Sequence, residues 1–114
     1  MMNRKIPKPS KFRAEKIAGY DSHREYRRAC LLKAMQRSGI ISNLREQVKF
    51  TLVPCQRGPD GKLLEREVAY IADFVYTDPD GNTVVEDTKG FRTPEYIIKR
   101  KLMLHTHGIK IKEI

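Results

Sequence analysis

Asp73, Asp87 and Lys89 are the residues whose types and spacing could do chemistry. Asp73 interrupts Val68-Ala69-Tyr70-Ile71-Ala72-Asp73-Phe74-Val75-Tyr76, a run apolar on both faces, as a central buried strand would be. Asp87 and Lys89 follow Val84-Val85, and because side chains alternate across a strand, Val85, Asp87 and Lys89 share one face while Glu86 and Thr88 take the other. Two carboxylates side by side in an apolar setting repel each other and call for positive charge between them. Lys89 alone could supply it, as a structural ion pair. A hard divalent cation such as Mg²⁺, which prefers carboxylate and carbonyl oxygens and keeps several waters, could also supply it. With a lysine alongside, the second arrangement suits metal-assisted hydrolysis of a phosphodiester.

Around this pair the chain reads as alternating helices and strands. Asp78-Pro79-Asp80-Gly81-Asn82 has the turn residues of a short hairpin loop, so the Asp73 and Asp87 runs pair as neighbours. A helix is expected from about Ser22 to Arg37, started by the S-x-x-E pattern of Ser22 and Glu25 and stopped by Ser38-Gly39. Helical spacing puts Glu25, Ala29, Leu32 and Gln36 on one side, mostly small or apolar, which turns Glu25 inward. Two uses are open to Glu25: capping its own helix, or joining the site. Arg24, Arg27 and Arg28 cluster beside it and have the planar donor fork that suits phosphate oxygens, with a solvated face as the alternative.

Residues 45–54 alternate, with Val48, Phe50 and Leu52 on one face, and read as the first strand; Gln47 lies within it. Residues 55–64 form a loop around Gly58-Pro59-Asp60-Gly61 that leads into the Asp73 strand. Thr93, Pro94 and Glu95 open a second helix with Ile97, Ile98, Leu102 and Leu104 on its apolar side. Arg92 and Lys99 on that helix offer phosphate contacts or solubility. His105 and His107 are two apart, cannot share a helix face and have no further ligands nearby in sequence, so a zinc site is set aside. His23 has no assignable role. Gly108 ends the helix and residues 109–114 alternate as a last strand.

Residues 1–19 hold six basic residues, one acid and two prolines and read as a basic, flexible arm ahead of a single domain over residues 20–114. The net charge of +9 is uneven: residues 1–58 hold 14 Lys and Arg against 4 acids, whereas residues 59–114 hold 9 against 10. A basic half attracts a polyanion and an acidic half can hold a cation, and nucleic acid satisfies both. No run approaches the length of a membrane span. Cys30 and Cys55 show no metal spacing and fit a reduced intracellular protein, with Cys30 as a small core residue.

Asp73 followed by Asp87-Thr88-Lys89 resembles the signature of the PD-(D/E)XK nuclease superfamily: an acid at the end of one strand, then acid, any residue and Lys on the next. Ala72 stands where that pattern has proline. The acid-x-Lys triplet alone carries little, since Asp60-Gly61-Lys62 repeats it in a turn. Tyr70-Ile71-Ala72-Asp73-Phe74, Glu86-Asp87-Thr88-Lys89-Gly90-Phe91 and Tyr20-Asp21-Ser22-His23-Arg24-Glu25 together look like small phage-encoded endonucleases related to Holliday junction resolvases. The resemblance implies the αβββαβ core of the restriction-endonuclease-like fold, an α/β arrangement of one mixed sheet flanked by helices. It further implies Mg²⁺, replaceable by Mn²⁺, held by Asp73, Asp87 and the Thr88 carbonyl. Glu25 matches the position of an acid that joins this shell, and Lys89 would position the attacking water. Branched DNA as substrate, a homodimer and the cytoplasm of a bacterial host are the corresponding expectations. The alternatives are a non-catalytic nucleic-acid-binding module, or a nuclease acting on flap or single-stranded DNA or on RNA.

Overall fold

The structure, a computed structural model, describes residues 19–20, 22–89 and 91–114. The first 18 residues of the expected basic arm, and Asp21 and Gly90 of the quoted motifs, lie outside the described residues. Helix α1 (His23–Arg37) begins where Ser22 Oγ accepts from the Glu25 N–H at 3.1 Å. Strand β1 (Ser42–Val53) follows, then a small hairpin of β2 (Gln56–Arg57) and β3 (Leu63–Glu65) within the segment expected to be loop. Strands β4 (Val68–Thr77) and β5 (Thr83–Asp87) come next, then α2 (Pro94–His107) and β6 (Lys112–Glu113). Setting the β2–β3 hairpin aside, the order is αβββαβ: an α/β fold built on one mixed sheet, β1-β4-β5-β6, antiparallel except for the parallel β5–β6 pair.

Local chemistry sets the ends of these elements. The β4–β5 turn closes on Asp78, whose side chain accepts from the N–H groups of Asp80 and Asn82, while Gly81 takes φ +87°. Thr93 caps α2 by accepting from the Tyr96 N–H, and Gly108 ends it in the left-handed conformation. The last strand is shorter than alternation suggests: only Lys112 and Glu113 pair, while Ile109 and Ile111 pack against the core under α2.

Strand β4 changes its facing at Asp73. Tyr70 and Ala72 pack with Val75, Val85, Tyr96 and Met103 beneath α2, whereas Phe74 and Tyr76 pack with Ala29 and Leu32 beneath α1. A regular strand keeps one parity along each face, so the alternation slips between Ala72 and Val75. Across from that slip, Gln47 has φ +53°, a backbone conformation that side chains other than glycine rarely adopt. The run is also not buried on both faces as its composition suggested. Ile71 is 54% exposed, because neither helix covers that side of the first half of β4. Cys30 is exposed rather than a core residue, since Ala29 and Leu32 form the inner face of α1.

A buried ion pair fastens α1 to the sheet. Glu86 is fully buried and accepts from Arg28 through Nε at 2.8 Å and Nη2 at 2.6 Å, as well as from the Tyr76 hydroxyl. Burial and the Glu86 carboxylate push the Tyr76 phenol up to about 12, so it remains a donor. Arg28→Met leaves the buried Glu86 carboxyl without its guanidinium partner, and is expected to cost about 3–5 kcal/mol. Denaturant unfolding at neutral pH checks this, and a loss below about 1 kcal/mol, the range of an exposed pair, would show that the tie is not structural.

Candidate functional site

The register that pairs Phe74 with Glu86 and Val75 with Val85 brings Asp73 to Asp87 across β4 and β5. The Asp87 charge acts on Asp73, so the two carboxylates are neighbours. Asp73 Oδ2 accepts from the Thr88 N–H at 2.9 Å and from Thr88 Oγ1 at 2.8 Å. Asp87 is buried, and its Oδ2 accepts from the Tyr70 hydroxyl. Its Oδ1 accepts no hydrogen bond among the described residues, and Lys89 Nζ lies 3.3 Å away as an ion-pair partner. Lys89 is itself placed by α2, with Nζ 4.5 Å from the centre of the Tyr96 ring.

Burial raises the Asp73 pKa and the Asp87 charge raises it further, against the Thr88 hydrogen bonds and the Lys89 charge, which lower it. Desolvation and the hydrogen bond to Asp87 push the Tyr70 phenol well above its ordinary range. Tyr70 therefore stays protonated and fixes the orientation of Asp87, leaving Oδ1 as the oxygen with unused acceptor capacity.

Glu25 is buried, as its place on the inner face of α1 suggested. Its Oε2 accepts from Gln47 Nε2 at 3.0 Å. The neighbours of Gln47 on β1, Glu46 and Val48, pair with Phe74 and Ala72 on either side of Asp73, so Gln47 links Glu25 to the Asp73 position. The Glu25 N–H takes part in the Ser22 cap, and its carboxylate accepts from Gln47 on β1.

The cationic candidates separate. Arg24 Nη1 donates to the backbone oxygens of Ile114 at 3.2 Å and Lys89 at 3.4 Å, which ties the start of α1 to the segment after β5. Arg27 is exposed. Arg28 is turned inward, its fork taken by Glu86 and its side chain 18% exposed, so the structure gives it a sheet carboxylate in place of the expected phosphate contact. Arg92 pairs with Glu113 at 2.7 Å and stays half exposed, and Lys99 pairs with Glu95 at 3.3 Å. His107 Nε2 lies 2.8 Å from the Thr51 carbonyl with its ring edge-on to Phe50, so it pins the end of α2 to β1. His23 and His105 are exposed.

The donor set fits a hard divalent cation. The two carboxylates are close enough for the Asp87 charge to act on Asp73, one buried oxygen lacks a hydrogen bond among the described residues, and magnesium is commonly held by one or two carboxylates with water completing the shell. Among the described residues, no three His, Cys, Asp or Glu side chains converge as a ready ligand group, so Glu25 would reach such an ion through water or through movement. The Thr88 side chain and N–H are occupied by Asp73, which leaves its carbonyl as the group that could face the ion. Tyr70, Tyr96, Glu86 and Glu113 are the residues that sequence reasoning missed. The signal available for Glu86 was a second acid in a buried strand, which required a cation from elsewhere in the chain.

An α/β domain with paired strand acids and an adjacent lysine is the class that fold and site define. The chain belongs to the family described as Protein of unknown function (DUF1064), whose family model matches residues 9–113. No curated protein and no solved structure matches the chain. Among the described residues, no helix is long and apolar enough to cross a membrane.

Replacing Asp73 by Asn removes the buried charge and keeps an oxygen acceptor for Thr88. Because the folded pKa of Asp73 lies above its unfolded value, its ionisation opposes folding fully above the folded pKa, and this penalty vanishes once pH falls below the unfolded carboxylate range. Without divalent cation, Asp73→Asn is expected to melt about 2–6 °C higher than the parent near pH 7 and with no advantage near pH 3. Thermal melts in chelator at the two pH values check this, and a lower melting temperature at both would contradict it.

Proposed function

We propose that this protein is a metal-dependent endodeoxyribonuclease of the PD-(D/E)XK type, hydrolysing phosphodiester bonds in branched DNA such as four-way junctions. The observation that carries this reading is the Asp73–Asp87 pair on adjacent strands, with Asp87 Oδ1 buried, without a hydrogen bond and beside Lys89. The αβββαβ order is that of the restriction-endonuclease-like core and supports it.

Asp73 and Asp87, with the Thr88 carbonyl and Glu25 in support, would hold Mg²⁺, or Mn²⁺ in its place. The bound ion supplies polarisation of the phosphate and activation of water. Lys89, fixed by Asp87 and the Tyr96 ring, holds the attacking water and offsets negative charge growing on the phosphate oxygens. Water adds to phosphorus as the bond to the departing sugar oxygen breaks, leaving a phosphomonoester and a free hydroxyl. Arg24 and Arg27 meet flanking phosphates. DNA shape is the recognised feature. A homodimer would place one site on each strand, in the cytoplasm of a bacterial host.

The 3.3 Å contact of Lys89 with Asp87 also favours a second reading, in which Lys89 alone neutralises the acids and the chain only binds nucleic acid. A nicking assay on linear duplex, single strand, flap and four-way junction separates the two. The parent is expected to cut the junction only with Mg²⁺ or Mn²⁺. Asp87→Asn is expected to keep junction binding and lose at least about 100-fold in cleavage rate. Cutting by Asp87→Asn at the parental rate would overturn the catalytic assignment, and no cutting by the parent on any substrate would favour the binding module.

A further inference from the structure

Helix α2 and strand β6 enclose an open cleft of about 360 Å³, lined by Arg100, Lys101, Leu104, Lys110, Ile111 and Glu113. Three of its six lining residues are cations and one is an acid. That acid is already matched: Glu113 accepts from Arg100 Nη1 at 3.0 Å, the Tyr96 hydroxyl at 2.7 Å and Arg92 Nε at 2.9 Å. The Arg92 and Tyr96 hydrogen bonds, with Arg100, hold its carboxyl down to about 2, so at neutral pH it keeps the two guanidinium groups in place. Among the described residues, Lys101 and Lys110 have no acidic partner within the cleft. Leu104 is 56% exposed and, with Ile111, gives the cleft an apolar side.

The cleft also lies close to the carboxylate pair. Glu113 is the register partner of Asp87 on the parallel β5–β6 pair, one strand spacing of about 4.8 Å away. Tyr96 joins the two places, with Lys89 Nζ over its ring and its hydroxyl on Glu113. We infer that this cleft is a second anion site, which takes the backbone phosphate next to the scissile one as the nucleic-acid strand leaves the Asp73–Asp87 pair. This inference rests on the nuclease reading for its placement beside the scissile phosphate. Lys101 and Lys110 meet the phosphate, and Leu104 lies against the sugar and base.

The test uses the full chain and a fluorescent four-way junction in Ca²⁺, where binding is read without cleavage. Lys101→Ala/Lys110→Ala is expected to weaken binding about 10-fold or more and to reduce the slope of log K against log salt by about 2. Arg37→Ala/Arg45→Ala, an equal loss of charge at exposed positions on α1 and β1, is expected to change the slope by less than half as much. Equal effects of the two pairs would overturn the inference, because the cleft would then be only part of a diffuse basic surface. Inorganic phosphate is the second probe: competition with the junction in the parent but not in the lysine variant at about 1 mM would mark a free-phosphate site and also overturn it. Cleavage separates this inference from the reading it rests on. Asp87→Asn is expected to keep the full salt slope and lose cutting. A normal salt slope in the lysine variant sinks the cleft alone, and parental cutting by Asp87→Asn sinks its placement beside a scissile phosphate.

Discussion

Two like charges held side by side in a sheet are the constraint on which the rest of the structure depends. Directly opposed carboxylates destabilise a strand pair, and burial adds to the cost. Thr88 meets part of it with two hydrogen bonds to Asp73, and Tyr70 and Lys89 meet part of it at Asp87. The compensation is incomplete, since Asp73 remains shifted toward its neutral form and Asp87 Oδ1 has no hydrogen bond among the described residues. Incomplete compensation of this kind suits a site that gains a cation, because the ion then relieves repulsion already present in the fold.

The scaffold is shaped around that pair. The facing of β4 slips at Asp73, and across from the slip Gln47 holds a left-handed backbone conformation, of the sort that costs about 1–3 kcal/mol and needs its surroundings to maintain it. Gln47 then reaches Glu25, so the irregularity in β1 joins the first helix to the acid strand. Arg28, one turn beyond Glu25, locks the same helix onto Glu86, the residue next to Asp87. On the other side, Tyr96 of α2 supports Lys89 and binds Glu113. Both helices are therefore fastened to β5 or its neighbour β6 within a residue or two of the proposed chemistry.

Much of this was legible in the sequence because it is local. The caps at Ser22, Thr93 and Gly108 and the Asp78–Asn82 turn depend only on near neighbours, and each stands in the structure as read. What could not be read depends on pairings far apart in the chain. Arg28 is one of three arginines beside Glu25, and nothing local marks it as the partner of Glu86, 58 residues on. The phenols of Tyr70 and Tyr96 look like ordinary core aromatics until the sheet brings carboxylates to their hydroxyls. The exposure of Ile71 likewise depends on where the helices stop, which the composition of β4 does not encode.

The most direct measurement is a crystal of the full chain soaked in Mn²⁺, with anomalous scattering recorded at the manganese edge. A peak is expected between Asp73 and Asp87, within about 2.0–2.4 Å of Asp87 Oδ1, with Lys89 Nζ turned away from that oxygen. A map with no peak there at millimolar Mn²⁺, and Lys89 still against Asp87, would contradict it.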